Sequence, residues 1–357
     1  MGRGNIMKKF YYVGLISILL FVLTGCLPKT NERVLFKPIN PSLLGEKPII
    51  SYTIKEEITT TQSETFTQRL NDDFMNNNIL VKYFELKDLV SGLESIPENS
   101  NLWIVVNWYD YYEALQEGLI DYNKFIKPDG YNIYRSFDGI HYTKIGDAGY
   151  GYFLDSSTEN APNKEVWYAV SSYTENGEST LVELGSVVPL ETFNIELISP
   201  TDEEKNVSRQ PTFAWEPTKE LTSPESEVEY HYTMWIYDLV QSENYILPGI
   251  LEGEDVILYD FMMQGAEEVS VTFLGSKGSS EYDDLSWFLY LPDGIYYYED
   301  DKLEPAKTYD WGIEYTYAVA YDIDSVSVSV AVDNGYNVNP KGDIMPEKQN
   351  EFTTASN

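Results

Sequence analysis

Alternation with a period of two dominates the middle of the chain. From Gly130 to Ser136, Tyr131, Ile133 and Arg135 alternate with Asn132, Tyr134 and Ser136, the pattern of an extended strand whose successive side chains point to opposite faces. Asp138-Gly139 follows, a pair that tolerates positive φ, and Ile140 to Ile145 reads as the return strand of a hairpin. Tyr152 to Asp155 and Val166 to Tyr173 continue the series, which ends in the turn chemistry of Asn176-Gly177. Asn101 to Trp108 is an apolar run of strand length upstream. Downstream, Glu229 to Asp238 sets Tyr230, Tyr232, Met234 and Ile236 against His231, Thr233, Trp235 and Tyr237. Ser325 to Val332 alternates serine with valine, as a strand with one buried face or an edge would. Short strands separated by turn signals predict a mainly β chain of sandwich architecture.

Outside these runs the pattern changes. Pro28, Pro38 and Pro41 stand among polar residues, so 26–45 reads as a tether. Ile49, Ile50, Tyr52 and Ile54 suggest a strand, whereas Phe66, Leu70 and Phe74 fall at helical spacing behind Ser63 as a cap. With a strand at Ile79 to Phe84 and a short helix at Leu86 to Leu93, residues 46–98 form a small mixed α/β segment. A second short helix is predicted at Tyr112 to Leu119, inside the loop that separates Trp108 from Gly130. Val187 to Phe193 reads as a linker or shared strand. Residues 194–357 then exceed the roughly 100 residues of a simple sandwich, with Val256 to Phe261, Val269 to Phe273, Leu285 to Leu291 and Ile295 to Tyr298 as added strands.

Two stretches carry a family resemblance. The Gly-Tyr-x-Ile-Tyr-Arg-Ser run at Gly130, the Asp138-Gly139 hairpin, Tyr168-x-Val170 and Gly177-Glu178-Ser179 resemble the second half of a bacterial fibronectin type III domain, giving a module at 99–190. Leu303-x-Pro305-x-x-x-Tyr309-x-Trp311 and Asn350 to Thr354 are similar to the same family's tyrosine corner and last strand, giving an enlarged fibronectin or immunoglobulin-like module at 194–357. The resemblance implies that Trp108 and Trp215 pack between the sheets. It also implies that Tyr168 and Tyr309 are tyrosine-corner residues, each bonding back to nearby backbone.

The amino end changes the picture from a soluble chain to a tethered one. Lys8-Lys9 precedes an apolar run from Phe10 to Leu23, shorter than the roughly 20 residues a spanning helix needs. Leu23, Thr24 and Gly25 then lead to Cys26, the one cysteine in the chain. This resembles the signal peptide (1–25) and lipobox of a bacterial lipoprotein, which implies processing before Cys26 and acylation of its sulfur, with membrane lipid as a partner and an envelope location outside the cytoplasm. Each buried methylene contributes about 0.8 kcal/mol, so two or more chains hold stably where one does not. A secreted chain with one cysteine has no internal disulfide and rests on core packing.

Charge restricts the partners. The formal net charge is −34, and removal of Arg3, Lys8 and Lys9 with the signal peptide takes it to −37. Phosphate backbones are repelled by such a surface, which excludes nucleic acid, and anionic headgroups repel the body of the protein as well.

Catalytic chemistry finds little support. His141 and His231 are the two histidines and both fall in predicted strands, so no nucleophilic triad is evident. No Cys or His pair has zinc spacing. Asp333-Asn334-Gly335 with Asn337, Asn339 and Asp343 is oxygen-rich but lacks the ordered spacing of a calcium loop, so no metal and no cofactor is assigned. Tyr109, Asp110, Tyr111, Tyr112 and Glu113, on the enlarged loop, form the candidate binding patch. The reading is a noncatalytic envelope interaction or structural module contacting protein or polysaccharide. Carbohydrate binding through tyrosine-rich loops is the alternative, and a glycoside hydrolase using two carboxylates is the more remote one.

Overall fold

The computed structural model describes residues 33–54, 101–224, 226–238, 245–246, 260–264, 269–273, 295–296, 302–333, 336–338, 344–346 and 348–357. Two sandwiches follow one another. In the first, β1 (Ile49–Ile54), β2 (Leu102–Asn107) and β5 (Tyr152–Asp155) form one layer. The other layer runs in the order β7 (Val182–Val187), β6 (Val166–Thr174), β3 (Gly130–Ser136), β4 (Thr143–Ala148). Leu102, Ile104 and Val106 project from one layer onto Tyr131, Ile133, Tyr168 and Val170 of the other, as the alternation requires.

The second sandwich faces β8 (Ile195–Ser199), β9 (Thr212–Pro217) and β11 (Val269–Thr272) against β10 (Glu229–Asp238), β12 (Thr308–Tyr321) and β14 (Lys348–Thr354). Its core is aromatic. Phe213 lies 5.0 Å from Trp311 and 5.9 Å from Phe352, while Trp215 lies 5.7 Å from Tyr232 between ring centroids. The Trp311 indole N–H donates to Pro200 O at 3.0 Å, which satisfies its one polar atom inside the core.

The join between modules is where the structure departs furthest from the sequence reading. β12 is 14 residues long: Thr308 to Ile313 pair with β14, and Tyr315 to Tyr321 pair with β13 (Ser325–Asp333) instead. β13 then pairs in parallel with β1, Ile49 opposite Ser325 through Ile54 opposite Val330. One sheet therefore crosses both modules. The valine face of β13 packs with Ile50, Tyr52 and Trp103 of the first module and Tyr317 of the second. Its serine face holds the connecting segment, Ser327 Oγ donating to Val188 O at 2.7 Å and Ser329 Oγ to Glu191 O at 2.8 Å. β13 is thus a central strand buried on both faces, neither the edge nor the half-buried strand its alternation suggests.

Three further boundaries are corrected by this packing. Ile49 to Ile54 belongs to the first sandwich and not to a separate segment, because β2 and β13 flank it; residues 55–98 lie outside the described residues. The stretch called a tether is integral to the first module from residue 33 onward: Val34–Leu35 pairs in parallel with Phe125–Ile126, and Phe36 is buried against Tyr111 at 5.6 Å. Val187 to Phe193 is no free linker, since Leu190 and Phe193 enter the second core.

Asp310 sits between the core residues Tyr309 and Trp311 on β12, so it points to the opposite face, and it is 3 % exposed. Burial, with Glu351 and Asp202 nearby, pushes its pKa up to about 7. A raised carboxyl pKa means the folded state holds the proton more tightly than the unfolded one. The resulting stability is present in full below about pH 4 and is lost as pH rises towards 7. An Asp310→Asn variant should therefore gain on the wild type between pH 5 and pH 8 in thermal unfolding. A difference between the two that does not change with pH would contradict this assignment.

Candidate binding surface

The loop between β2 and β3 is built by a helix start. Asp110 adopts extended backbone and caps α1 (Tyr111–Gln116), its Oδ1 accepting the Tyr112 and Glu113 amides at 2.7 and 2.9 Å. Glu113 Oε2 accepts the Asp110 amide at 3.0 Å, which completes a capping box. Burial raises the Glu113 pKa. Gly151 is required beside it, because a Cβ there would lie 2.4 Å from Trp108 O and 2.5 Å from Glu113 Oε2.

The five residues of the predicted patch are next to one another, but they do different work. Tyr111 is buried, with its amide donating to the Tyr131 hydroxyl at 2.8 Å. Tyr109 is half-buried; its hydroxyl donates to Glu46 Oε1 at 2.7 Å, and that bond to a carboxylate is the main reason its pKa is pushed up to about 12. Asp110 and Glu113 are spent on the cap. Tyr112 alone of the three tyrosines is more than half exposed, with Lys127 Nζ 4.7 Å from its ring centroid. The patch is mostly scaffold, and what it offers to a partner is one ring and its cation.

The four aromatic residues singled out between the sheets are all buried. Trp108 lies 5.6 Å from Tyr131. Tyr309 accepts the Glu304 amide at 3.1 Å, a bond back to backbone five residues upstream. Tyr168 differs from the expected corner: its hydroxyl donates to Asp155 Oδ2 at 2.7 Å, a side chain on the opposite sheet. The reason is Arg135, which by alternation alone is one more member of a strand. Its side chain is 6 % exposed, and Nη1 lies 3.1 Å from Asp155 Oδ2 and 3.3 Å from Asn160 Oδ1, while Nη2 reaches Glu159. A buried guanidinium needs a buried carboxylate, and Asp155 serves Arg135, Tyr168 and the Ser157 amide together. Burial and the adjacent Asp155 charge hold the Tyr168 hydroxyl well above its usual pKa. The one available signal was an arginine on the core-facing register of β3.

The histidines stand apart. His141 is exposed and paired with Asp138 at 2.7 Å, whereas His231 is stacked 4.4 Å from Tyr317 and its pKa is lowered to about 4 by burial. Among the described residues no group of three or more His, Cys, Asp or Glu is arranged to hold a metal ion. Asn334, Gly335, Asn339 and Asp343 of the oxygen-rich turn lie outside the described residues, as do Leu23, Thr24, Gly25 and Cys26. No helix among the described residues is long and apolar enough to cross a membrane.

The strand order is decisive for architecture, since each module sets three strands against a sheet with the same central pairing, β3 beside β6 and β6 beside β7 in the first, β10 beside β12 and β12 beside β14 in the second. Both modules are fibronectin type III-like β-sandwiches. No protein-family model matches the chain, and no curated protein matches it. Solved structures that it resembles include the first three fibronectin domains of chicken CNTN1, at 9% identity and a TM-score of 0.29, with 71% of this chain and 62% of that one covered. The chain thus spans less than two thirds of that structure's length. The two-domain fibronectin segment of chicken tenascin gives 8% identity, a TM-score of 0.20 and coverage of 67% and 95%. The chicken interferon gamma receptor alpha chain gives 10%, 0.21, and coverage of 63% and 87%.

Proposed function

We propose that this chain is a lipid-anchored, noncatalytic module of a bacterial cell envelope, which carries its contact loops on a stiff two-sandwich body. The observation that supports this reading is the sheet shared through β12, β13, β1 and β2. A connection made only of linker leaves relative domain motion as the default, whereas a hydrogen-bonded sheet with the connecting segment bonded to its serine face fixes the angle between modules. Such a body suits spacing or presentation. It sits behind a sequence, Leu23-Thr24-Gly25-Cys26, that resembles a lipobox. Carbohydrate stacking through residues 109–113 has less to work with, because Tyr111 is in the core and the Tyr109 hydroxyl is held by Glu46.

Growth of the expressing bacterium with an alkyne-labelled palmitate tests the anchor. Label should enter the wild-type protein and be absent from Cys26→Ala, and an unlabelled wild type would remove the anchor from the proposal. Crosslinking in intact envelopes should trap the protein with another envelope protein, and a chain recovered only as itself would remove the interaction role.

A further inference from the structure

We infer that the surface around the Val34–Leu35 and Phe125–Ile126 pair is a membrane-contact face that lies on an anionic bilayer. The inference rests on the proposed anchor for its geometry. Cys26 is seven residues from Arg33, and a fully extended chain covers at most about 3.6 Å per residue. An acylated Cys26 therefore holds Arg33 within about 25 Å of the bilayer, which makes the surface beside Arg33 the described part of the chain that the anchor keeps nearest to it.

That surface has the chemistry of a membrane interface. Arg33 donates from Nε to Asn123 O at 3.3 Å and stands 5.4 Å from the ring of Tyr122. Tyr122, Val34 and Ile126 are 58 %, 44 % and 42 % exposed. They are brought together because Val34 donates its amide to Lys124 O at 3.1 Å and Leu35 pairs with Ile126. Exposed tyrosine with aliphatic neighbours is the composition that sits at headgroup level. The charge is the second, independent indication. Segments 32–37 and 121–129 carry Arg33, Lys37, Lys124 and Lys127 against Glu32, Asp121 and Asp129, a balance of +1 in a chain whose net charge is −34. Asp121 is engaged with Lys124 at 3.7 Å.

A locally basic, partly apolar face on a strongly acidic body is attracted to anionic headgroups while the remainder is repelled, so the two effects together set an orientation. Each base near such a surface strengthens binding about fivefold, and one acyl chain with a basic patch is already a stable combination. The acid that dominates the composition then keeps the second sandwich away from the bilayer.

The test uses the full chain, recovered acylated from bacterial membranes and reconstituted in vesicles of phosphatidylglycerol and phosphatidylcholine. Tyr122→Cys and, separately, Ile140→Cys are labelled with bimane; Ile140 is 75 % exposed in the turn beyond the Ser136 end of β3, whereas Tyr122 precedes its Gly130 end. Doxyl-labelled lipid should quench the probe at 122 at least threefold more than the probe at 140. Combining Tyr122→Cys with Lys124→Glu and Lys127→Glu should abolish that contrast. Equal quenching at the two sites would overturn the proposed face. Flotation of the wild type and of Cys26→Ala judges the anchor apart from the face. If only the wild type floats, the anchor holds and the contrast decides the face. If both float, the face or the unprocessed Phe10 to Leu23 run holds the variant, so entry of palmitate label into the wild type judges the anchor and the same contrast still decides the face. If neither floats, both fall.

Discussion

Replacing Arg135 with alanine should destabilise the first sandwich by about 3–5 kcal/mol, the cost of leaving a buried carboxylate without its cation. Asp155 keeps the Tyr168 hydroxyl and the Ser157 amide, and these place the expectation towards the lower end of that range. Glu159 contributes little, because its side chain is 66 % exposed and water screens the pair. Urea unfolding of Arg135→Ala against the wild type measures the loss. A double replacement, Arg135→Met with Asp155→Leu, should recover part of it, since an apolar pair carries no uncompensated charge, while the buried Tyr168 hydroxyl loses its carboxylate acceptor. If Arg135→Ala unfolds at the wild-type midpoint, the clasp between the two sheets is not what closes this end of the module.

Trp311→Ala should cost a similar or larger amount, about 3–5 kcal/mol, through the cavity left in the second core. The bond to Pro200 O and the contact with Phe213 are lost with it. The more informative result is where the loss is felt. Trp311 lies on β12, whose other half pairs with β13, and β13 pairs with β1 of the first sandwich. Calorimetry should therefore show one transition that moves as a unit to lower temperature. Two transitions, with the one from the first sandwich unmoved, would mean that the shared sheet does not couple the modules.

Legibility from the sequence differed by element, for physical reasons. β3, β6 and β10 could be read because each has one apolar face against a core, so alternation is imposed residue by residue. β13 showed the same alternation, yet its serines are as buried as its valines. Serine can be buried when its hydroxyl meets a carbonyl, here Val188 and Glu191, and no local pattern announces which carbonyl will be there. Tyr111 and Tyr112 are adjacent tyrosines with opposite fates. Which of them turned inward was set by Phe36, a residue 75 positions earlier.

By itself the sequence determined the strand-rich sandwich class, the acidic surface and the aromatic residues that fill the two cores. Each of these is a property of side-chain chemistry repeated at short range. Only the tertiary structure decided that β1 and β13 join the modules into one sheet, that Arg135 turns inward to Asp155, and that residues 33–37 lie against 121–127 as a basic, partly apolar face. Those are pairings between distant segments, chosen because backbone groups and buried charges must find partners, and the identity of the partner is written nowhere near the residue that needs it.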